Sequence, residues 1–227
     1  MQRYIFFFIN TKFFVVFYAK IFLLFFFAIS KNCCIFARQN QKQNLFMKKI
    51  LVVIDVQRDF YHPTGSLYVK GGEELPKKIN NIIPKFDDVI FTMDWHPYNH
   101  CSFKENGGIW PVHCVRFSEG ASLPQIFLPY IEYKGRFANN IIVKGCSVST
   151  EEYAVDPHFI MYDYNPTDEF VFCGIAGDVC VLETIVKFKQ LFPEVNMSVY
   201  LDGTVSIDGG EKLCQFMKSN NIKEFLI

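Results

Sequence analysis

The sequence of residues 47–227 predicts an α/β fold with three layers, in which helices cover both faces of a central, mostly parallel sheet of six strands. Short apolar runs alternate along the chain with segments of helical periodicity, which is typical of parallel strands joined by crossover helices. The run from Ile50 to Val56 is β-branched or apolar except at Asp55, which indicates a strand buried on both faces. Charged residues or a glycine-rich turn end four of the runs, and this predicts a site at the carboxyl edge of the sheet.

Each element is predicted from its own pattern. The predicted strands are the apolar runs at residues 50–56, 88–93, 140–144, 169–174, 197–201 and 223–227. The predicted helices carry apolar residues three or four positions apart and lie at residues 73–86, 178–192 and 210–220. Pro84 lies near the end of the first helix, where it disfavours further helical turns. Residues 95–125 are irregular and rich in Trp, His and turn formers, and such a stretch inside a compact domain is usually functional.

Composition and charge restrict the classes of function. The chain has 227 residues, half of them apolar, which suits a globular domain and excludes a disordered chain. Residues 1–46 hold six of the 23 Lys and Arg and no acid, so the remainder carries 17 basic residues against 23 acidic ones, a net charge of −6. This acidic body argues against nucleic acid as the partner. The eight cysteines form no CxxC pair, which favours a reducing, cytoplasmic compartment.

Residues 1–46 differ from the rest in holding 12 of the 26 Phe and no Gly, Pro, Asp or Glu. Three interpretations stay open: a signal or anchor helix around the apolar run Ile21–Ile29, a basic organellar leader, or translated upstream sequence absent from the mature protein. The first two would make the protein membrane-associated or organellar. A separate domain is predicted to begin at Met47, directly before the first strand.

Two charged groups fall at predicted strand ends. Asp55 lies near the end of the first strand, where a buried carboxylate is costly unless it is paired. Lys144 ends the strand 140–144 and could offset that carboxylate. Each also has an ordinary interpretation, Asp55 as a helix cap or turn former and Lys144 as a lysine that reaches solvent.

A possible metal site follows the second strand. Asp94 and His96 are two residues apart, so in an extended chain they point the same way. His100 and His113 lie in the same irregular stretch. A carboxylate with two imidazoles can hold zinc, iron or manganese; the alternative is a set of ordinary loop histidines.

A cysteine follows the strand 169–174. In Gly174-Ile-Ala-Gly-Asp-Val-Cys180 the glycines permit a tight turn and Cys180 falls in the first turn of the next helix. The helix dipole and the free N–H groups there would lower the thiol pKa and bind an oxyanion. Cys180 could equally be a small buried core residue.

These segments together resemble a known family. The resemblance runs in order from about Lys49 to the C-terminus and points to the nicotinamidase branch of the isochorismatase-like cysteine hydrolases. Its motifs are Asp55-Val-Gln-Arg-Asp-Phe60, Asp94-Trp-His-Pro97, Asn106-Gly-Gly-Ile-Trp-Pro111 with His113-Cys114, Lys144-Gly145 and Gly174-Ile-Ala-Gly-Asp-Val-Cys180.

The resemblance implies a role for each motif residue. Hydrolysis of nicotinamide to nicotinate and ammonia through a cysteine thioester is the implied reaction, with a divalent metal, zinc before iron or manganese, on the pyridine. The implied residues are the catalytic Asp55, Lys144 and Cys180, the oxyanion-hole N–H groups of Ala176 and Cys180, the ring-stacking Phe60 and Trp110, and the metal ligands Asp94, His96 and His113. The Ile175–Ala176 bond is expected to be cis.

Some features stay open. Arg58 stands where the family commonly has a smaller polar residue, so the pocket rim is expected to differ. His100 and Glu105 are both candidates for a fourth metal contact, and family members are often homo-oligomers. The competing functions are hydrolysis of another small amide, a silent metal- or ligand-binding module, and a membrane-tethered role of residues 1–46. A nucleotide-binding dehydrogenase is not expected, because no GxGxxG follows the first strand.

Overall fold

The structure is a computed structural model that describes residues 47–134 and 137–227. Met47 to Ile227 form one compact unit. The three interpretations of residues 1–46 lie outside the described residues. Within the described ranges, no helix combines the length and the apolar character that crossing a membrane requires.

The central sheet has six strands, all of them parallel, in the order β5-β2-β1-β6-β7-β8. A separate hairpin pairs β3 with β4. In chain order the strands are β1 (Lys49–Ile54), β2 (Asp88–Asp94), β3 (Tyr133–Lys134), β4 (Phe137–Ala138), β5 (Ile141–Lys144), β6 (Glu169–Ile175), β7 (Asn196–Val205) and β8 (Lys223–Glu224).

Helices cover both faces of this sheet, which confirms the predicted three-layer α/β fold. The helices are α1 (Arg58–Tyr61), α2 (Leu75–Ile82), α3 (Pro157–Met161), α4 (Leu182–Leu191) and α5 (Glu211–Ser219). One buried cluster joins α3, α4 and α5 to the even-numbered residues of β1, such as Val52. The other joins α2 to the odd-numbered ones, such as Val53. Because β1 is buried on both faces, its sequence is a continuous apolar run.

Several predicted boundaries are wrong, each for a local physical reason. β1 ends at Ile54 rather than Val56, because Asp55 turns the chain with a left-handed φ of 51°. The helix predicted at residues 73–86 is regular only over Leu75–Ile82 and continues as a short 3₁₀ turn around Pro84, whose ring cannot donate a backbone hydrogen bond. The last strand comprises only Lys223–Glu224. Helices α1 and α3 and the β3–β4 hairpin are too short to leave a periodic signal.

The topology gathers the predicted site residues at one place. The strand order runs outward from β1 in both directions, through β2 and β5 on one side and through β6 on the other. Ligands of such sheets bind beyond the carboxyl ends of the strands where the order reverses. Asp55 directly follows β1, Asp94 and Lys144 end β2 and β5 in register with each other, and the turn that carries Cys180 follows β6.

Candidate active site

The Lys144 ammonium lies between three acidic groups. Its Nζ is 2.9 Å from Asp55 Oδ2 and 3.7 Å from Cys180 Sγ, and it also contacts Asp94 Oδ1. All four side chains are buried. The predicted catalytic set of Asp55, Lys144 and Cys180 is therefore brought together, and Lys144 joins it to the predicted metal ligands.

The two carboxylates are in unequal electrostatic environments. Burial opposes ionisation of both. At Asp94 the Lys144 ammonium and His96 outweigh burial and lower the carboxyl pKa well below its usual range. At Asp55 burial prevails over Lys144, and the Asp94 charge adds to it, so the pKa is raised. Groups whose pKa values are pushed apart in this way divide the chemistry between them: Asp94 stays ionised, whereas Asp55 can take up and release a proton.

The ammonium keeps its charge despite its burial. Burial would lower the pKa of Lys144, but Asp55 and Asp94 outweigh it and raise that pKa well above the usual value. A buried lysine without those partners would instead tend to lose its proton. Lys144 is thus a fixed positive charge beside the cysteine.

Cys180 lies on a turn of π-helix, Gly177–Val181, which precedes α4. The Ala176 carbonyl accepts hydrogen bonds from the N–H groups of Val179 and Val181 at 3.1 and 3.0 Å. The Asp178 carboxylate accepts the N–H of Ile207 at 2.8 Å, so the turn is tied to the loop after β7. The Ile175–Ala176 bond is cis, as expected. Cys180 therefore precedes the regular α-helix instead of lying in its first turn.

The expectation of a lowered thiol pKa is contradicted. Burial raises the pKa of Cys180 well above its usual value; Lys144 lowers it, but Asp55 and Asp94 act with burial. The sequence shows the helix terminus but not the extent to which the thiol is buried. A neutral thiol beside a carboxylate of raised pKa is an arrangement in which the carboxylate acts as base.

Asp94, His96 and His113 converge as predicted. Both histidine Nε2 atoms face Asp94 Oδ2, at 3.6 Å from His96 and 3.9 Å from His113. His96 Nδ1 lies 3.0 Å from the Gly145 carbonyl and His113 Nδ1 lies 2.7 Å from the Pro111 carbonyl. A carbonyl only accepts, so each Nδ1 carries a hydrogen, and in the neutral form of each ring Nε2 then presents a lone pair.

These residues fit a divalent metal. The three ligand atoms lie within 4.8 Å of one another, and His96 Nε2 is buried without a hydrogen-bond partner. One carboxylate and two neutral imidazoles form a donor set that zinc, iron and manganese accept. Gly145 leaves space for the His96 ring, since a Cβ at position 145 would lie 2.3 Å from His96 Cε1.

Neither candidate for a fourth metal contact joins this cluster. His100 stacks on His96 with ring centroids 4.1 Å apart. Its Nδ1 pairs with Ser102 Oγ and its Nε2 with the Thr150 carbonyl, so both ring nitrogens are occupied. Glu105 is solvent-exposed. His100 therefore supports the ring of His96 and does not belong to the cluster.

One pocket is lined by residues of both the catalytic set and the cluster of Asp94 and the two histidines. Cys180, Ala176, Asp94 and His113 all line it. The predicted ring-stacking residues, Phe60 and Trp110, both line it. The other lining residues are mostly apolar: Leu67, Val69, Ile175, Val179, Ile207, Tyr153 and the acidic Glu151. Arg58 is not among the residues that line the pocket, and it pairs with Glu119 at 2.9 Å.

Known proteins resemble the chain in sequence. No protein-family model matches it. The nicotinamidase of Acinetobacter baylyi is 30% identical over 187 residues, which cover 70% of this chain and 81% of that protein. The chain belongs to the nicotinamidase family. The nicotinamidase of Saccharomyces cerevisiae is 29% identical over 215 residues, 77% of this chain and 97% of the relative.

Solved structures of the family share the fold. The pyrazinamidase of Pyrococcus horikoshii in complex with zinc is 30% identical with a TM-score of 0.64, over 79% of this chain and 99% of that one. A protein of L. infantum in complex with nicotinate is 28% identical with a TM-score of 0.66, over 79% of this chain and 92% of that one. The matches therefore extend over nearly the whole length of these relatives.

Three contributors to this nicotinamidase-family site were missed in the sequence. Thr92 Oγ1 donates to Asp55 Oδ1 at 2.6 Å, and Gln57 binds the backbone of Asp94. Tyr153 accepts a hydrogen bond from Trp110 Nε1 at 3.1 Å and so fixes the indole. Thr92 and Gln57 are visible only as polar residues in or beside apolar strands. Tyr153 lies in a segment without periodicity, so no signal could have found it.

Proposed function

We propose that the protein is a nicotinamidase, which hydrolyses nicotinamide to nicotinate and ammonia in the salvage of pyridine nucleotides. The observation that carries this is that Lys144 joins Cys180 and Asp55 to the cluster of Asp94 and two histidines, and that Cys180, Asp94 and His113 line one mostly apolar pocket. The kinship with curated nicotinamidases and the nicotinate complex of a relative support the substrate.

Asp55 acts as the general base in this mechanism. It takes the thiol proton of Cys180, and the Lys144 ammonium, 3.7 Å from the sulfur, stabilises the thiolate. The thiolate attacks the amide carbon, and the N–H groups of Ala176 and Cys180 bind the developing oxyanion. The tetrahedral adduct collapses as Asp55 returns the proton to the leaving nitrogen, so ammonia departs and a thioester remains. Asp55 then removes a proton from water, which attacks the thioester, releases nicotinate and restores the thiol.

Asp94, His96 and His113 would hold a divalent cation, and we propose zinc. When bound, the cation would supply an electrophilic contact for the pyridine nitrogen, which lies three bonds from the reacting carbonyl carbon. Phe60 and Trp110 present aromatic surfaces on which the flat ring stacks. The zinc complex of the Pyrococcus horikoshii relative supports this choice of metal. The residues thereby fix the ring at two points, by its nitrogen and by its faces.

Ammonia release from nicotinamide by the purified full chain tests the proposal. We expect turnover that a chelator removes and that zinc restores. Cys180→Ala is expected to abolish it, and Cys173→Ala is the control, because Cys173 is equally buried in β6 but is not a pocket residue. Full activity of Cys180→Ala would contradict the mechanism. A folded, metal-loaded protein that hydrolyses a different small amide and not nicotinamide would contradict the substrate.

We further propose that residues 47–227 carry the whole activity. Every residue with a role in the mechanism lies in that range. The chain from Met47 onward should match the full chain in kcat and KM for nicotinamide. A loss of turnover in a folded truncated chain would assign residues 1–46 a part in the reaction.

A further inference from the structure

Gln57 is a buried residue to which the mechanism gives no role. Its side-chain Nε2 donates to the Asp94 carbonyl at 2.8 Å and to the Ala121 carbonyl at 3.0 Å. Its Oε1 accepts the N–H of Asp94 at 2.7 Å. One amide side chain therefore satisfies both backbone groups of a residue whose carboxylate faces two histidines and Lys144.

The need for this side chain follows from the path of β1. β1 and β2 are paired through Ile54 and Thr92, and Asp55 N–H still donates to Thr92 O at 3.1 Å. The left-handed turn at Asp55 then takes the chain out of the sheet, whereas β2 continues to Asp94. On this side Asp94 has lost its neighbouring strand, and a buried backbone group that is left unpaired destabilises the fold. The Gln57 amide takes the place of the missing strand.

We propose that Gln57 is a positioning residue, which sets the affinity of the site for its divalent cation by fixing the backbone of Asp94. This rests on the proposed metal site. β5 alone supports Asp94 on its other side, through the Asp94–Lys144 pair in the register. Without Gln57, the Asp94 carboxylate can shift toward Lys144 and away from the two Nε2 atoms. Residues that hydrogen-bond to a metal ligand strongly affect the affinity for the metal, because they fix the position of the ligand atom.

Asn140 offers a closely matched control. Like Gln57 it is buried, and it makes the same three bonds: Nδ2 donates to the Val89 and Tyr130 carbonyls at 2.9 and 2.8 Å, and Oδ1 accepts Glu132 N–H at 2.9 Å. It therefore braces the opposite end of β2, about 16 Å from Asp94 at the usual rise of a strand. Each of the variants Gln57→Glu and Asn140→Asp replaces the amide nitrogen, which donates to two carbonyls, with a carboxylate oxygen. Both hydrogen bonds are then lost.

The test compares the full-length chain with these two variants after the metal has been removed. Zn²⁺ affinity is measured by titration, Co²⁺ is added separately for its visible absorption, and unfolding is measured in denaturant. Both variants should lose comparable stability. Only Gln57→Glu should bind Zn²⁺ more weakly, by about 10- to 100-fold, and show an altered Co²⁺ spectrum. Asn140→Asp should stay within about twofold of the unmodified chain, because its bonds lie far from the cluster.

Equal Zn²⁺ affinity and equal Co²⁺ spectra in both variants would overturn the proposal. Asp94→Asn separates this result from failure of the metal site itself. If that variant also binds Zn²⁺ as tightly as the unmodified chain, the metal site is wrong and the role of Gln57 falls with it. Should Gln57→Glu not fold, Gln57→Met is used, since it keeps the length of the side chain, removes the same bonds and adds no charge; unchanged affinity there is equally decisive.

Discussion

The two ends of the central sheet place the same kinds of charge in opposite surroundings. At the amino end, Lys48 pairs with Asp88 at 2.9 Å, with side chains that are 38% and 27% exposed. At the carboxyl end, Lys144 pairs with Asp55 at the same 2.9 Å, but these side chains are 2% and 0% exposed. Exposed pairs gain little because water competes for both partners. Buried pairs lose the hydration of both ions and depend entirely on each other.

The difference in burial between the two ion pairs indicates that the two ends of the sheet have different roles. The exposed pair at the amino end can be lost at small cost, so this pair does not need a fixed geometry. At the carboxyl end, one ammonium compensates two carboxylates and contacts a thiol. Such an arrangement is a poor device for stability and a good one for setting the proton affinities of its members. Replacing matched residues at the two ends measures the contrast directly.

The largest effect is expected from Lys144→Met. The substitution leaves Asp55 and Asp94 buried without a cation, and breaking a buried pair in this way typically costs about 3–5 kcal/mol. Turnover should be lost as well, because nothing then stabilises the thiolate. Lys48→Met at the other end should cost at most about 1 kcal/mol and leave kcat unchanged. Denaturant unfolding and ammonia release are the measurements, and equal stability losses in the two variants would remove the contrast.

His96→Ala is expected to affect the metal before it affects stability. The variant lacks one of three ligands, so its zinc affinity should fall by more than the about 10–100-fold typical of residues behind a ligand. KM for nicotinamide should rise, because the ring nitrogen loses its contact. His158→Ala is the control, since His158 is exposed and pairs with Asp156 away from the pocket. Metal analysis after dialysis decides: unchanged zinc content in His96→Ala would remove His96 from the site.

Thr92→Val should have an intermediate effect. It removes the hydroxyl that donates to Asp55 Oδ1 at 2.6 Å and hardly changes the volume of the side chain. Hydrogen bonds to charged groups contribute about 1.5–3 kcal/mol, and we expect a stability loss of that size. kcat should fall while KM is retained, because the base loses its orientation whereas the aromatic and metal-binding residues are untouched. A raised KM with an unchanged kcat would show that Thr92 acts on substrate binding instead.

The sequence was sufficient for strands β1, β2 and β6 and for the charged residues at strand ends. Continuous apolar runs located β1, β2 and β6 to within two residues of the structure, because strands buried on both faces admit little else. Topology then brought Asp55, Asp94 and Lys144 together without any further information, since parallel strands end at the same edge of a sheet.

Backbone turns and non-local partners could not be predicted. The left-handed turn at Asp55 lies inside an apolar run that reads as strand throughout, so the role of Gln57 beyond it was invisible. The thiol pKa of Cys180 depends on carboxylates more than 80 residues away in the sequence. Tyr153 reaches the pocket from an irregular segment.

The smallest effect, and the only favourable one, is expected from Ser198→Ala. Ser198 lies in β7 in register with Val171 and Lys223, and its Oγ is buried without a hydrogen-bond partner. His96 Nε2 is likewise buried and unpartnered, but it faces Asp94, where a cation would complete it. Nothing comparable surrounds Ser198, so removing its hydroxyl should stabilise the fold by about 1 kcal/mol and leave zinc affinity and kcat unchanged. A loss of stability in denaturant unfolding would mean that the Ser198 hydroxyl has a hydrogen-bond partner. The contrast between His96 Nε2, which faces a proposed site, and Ser198 Oγ, which does not, would then fail.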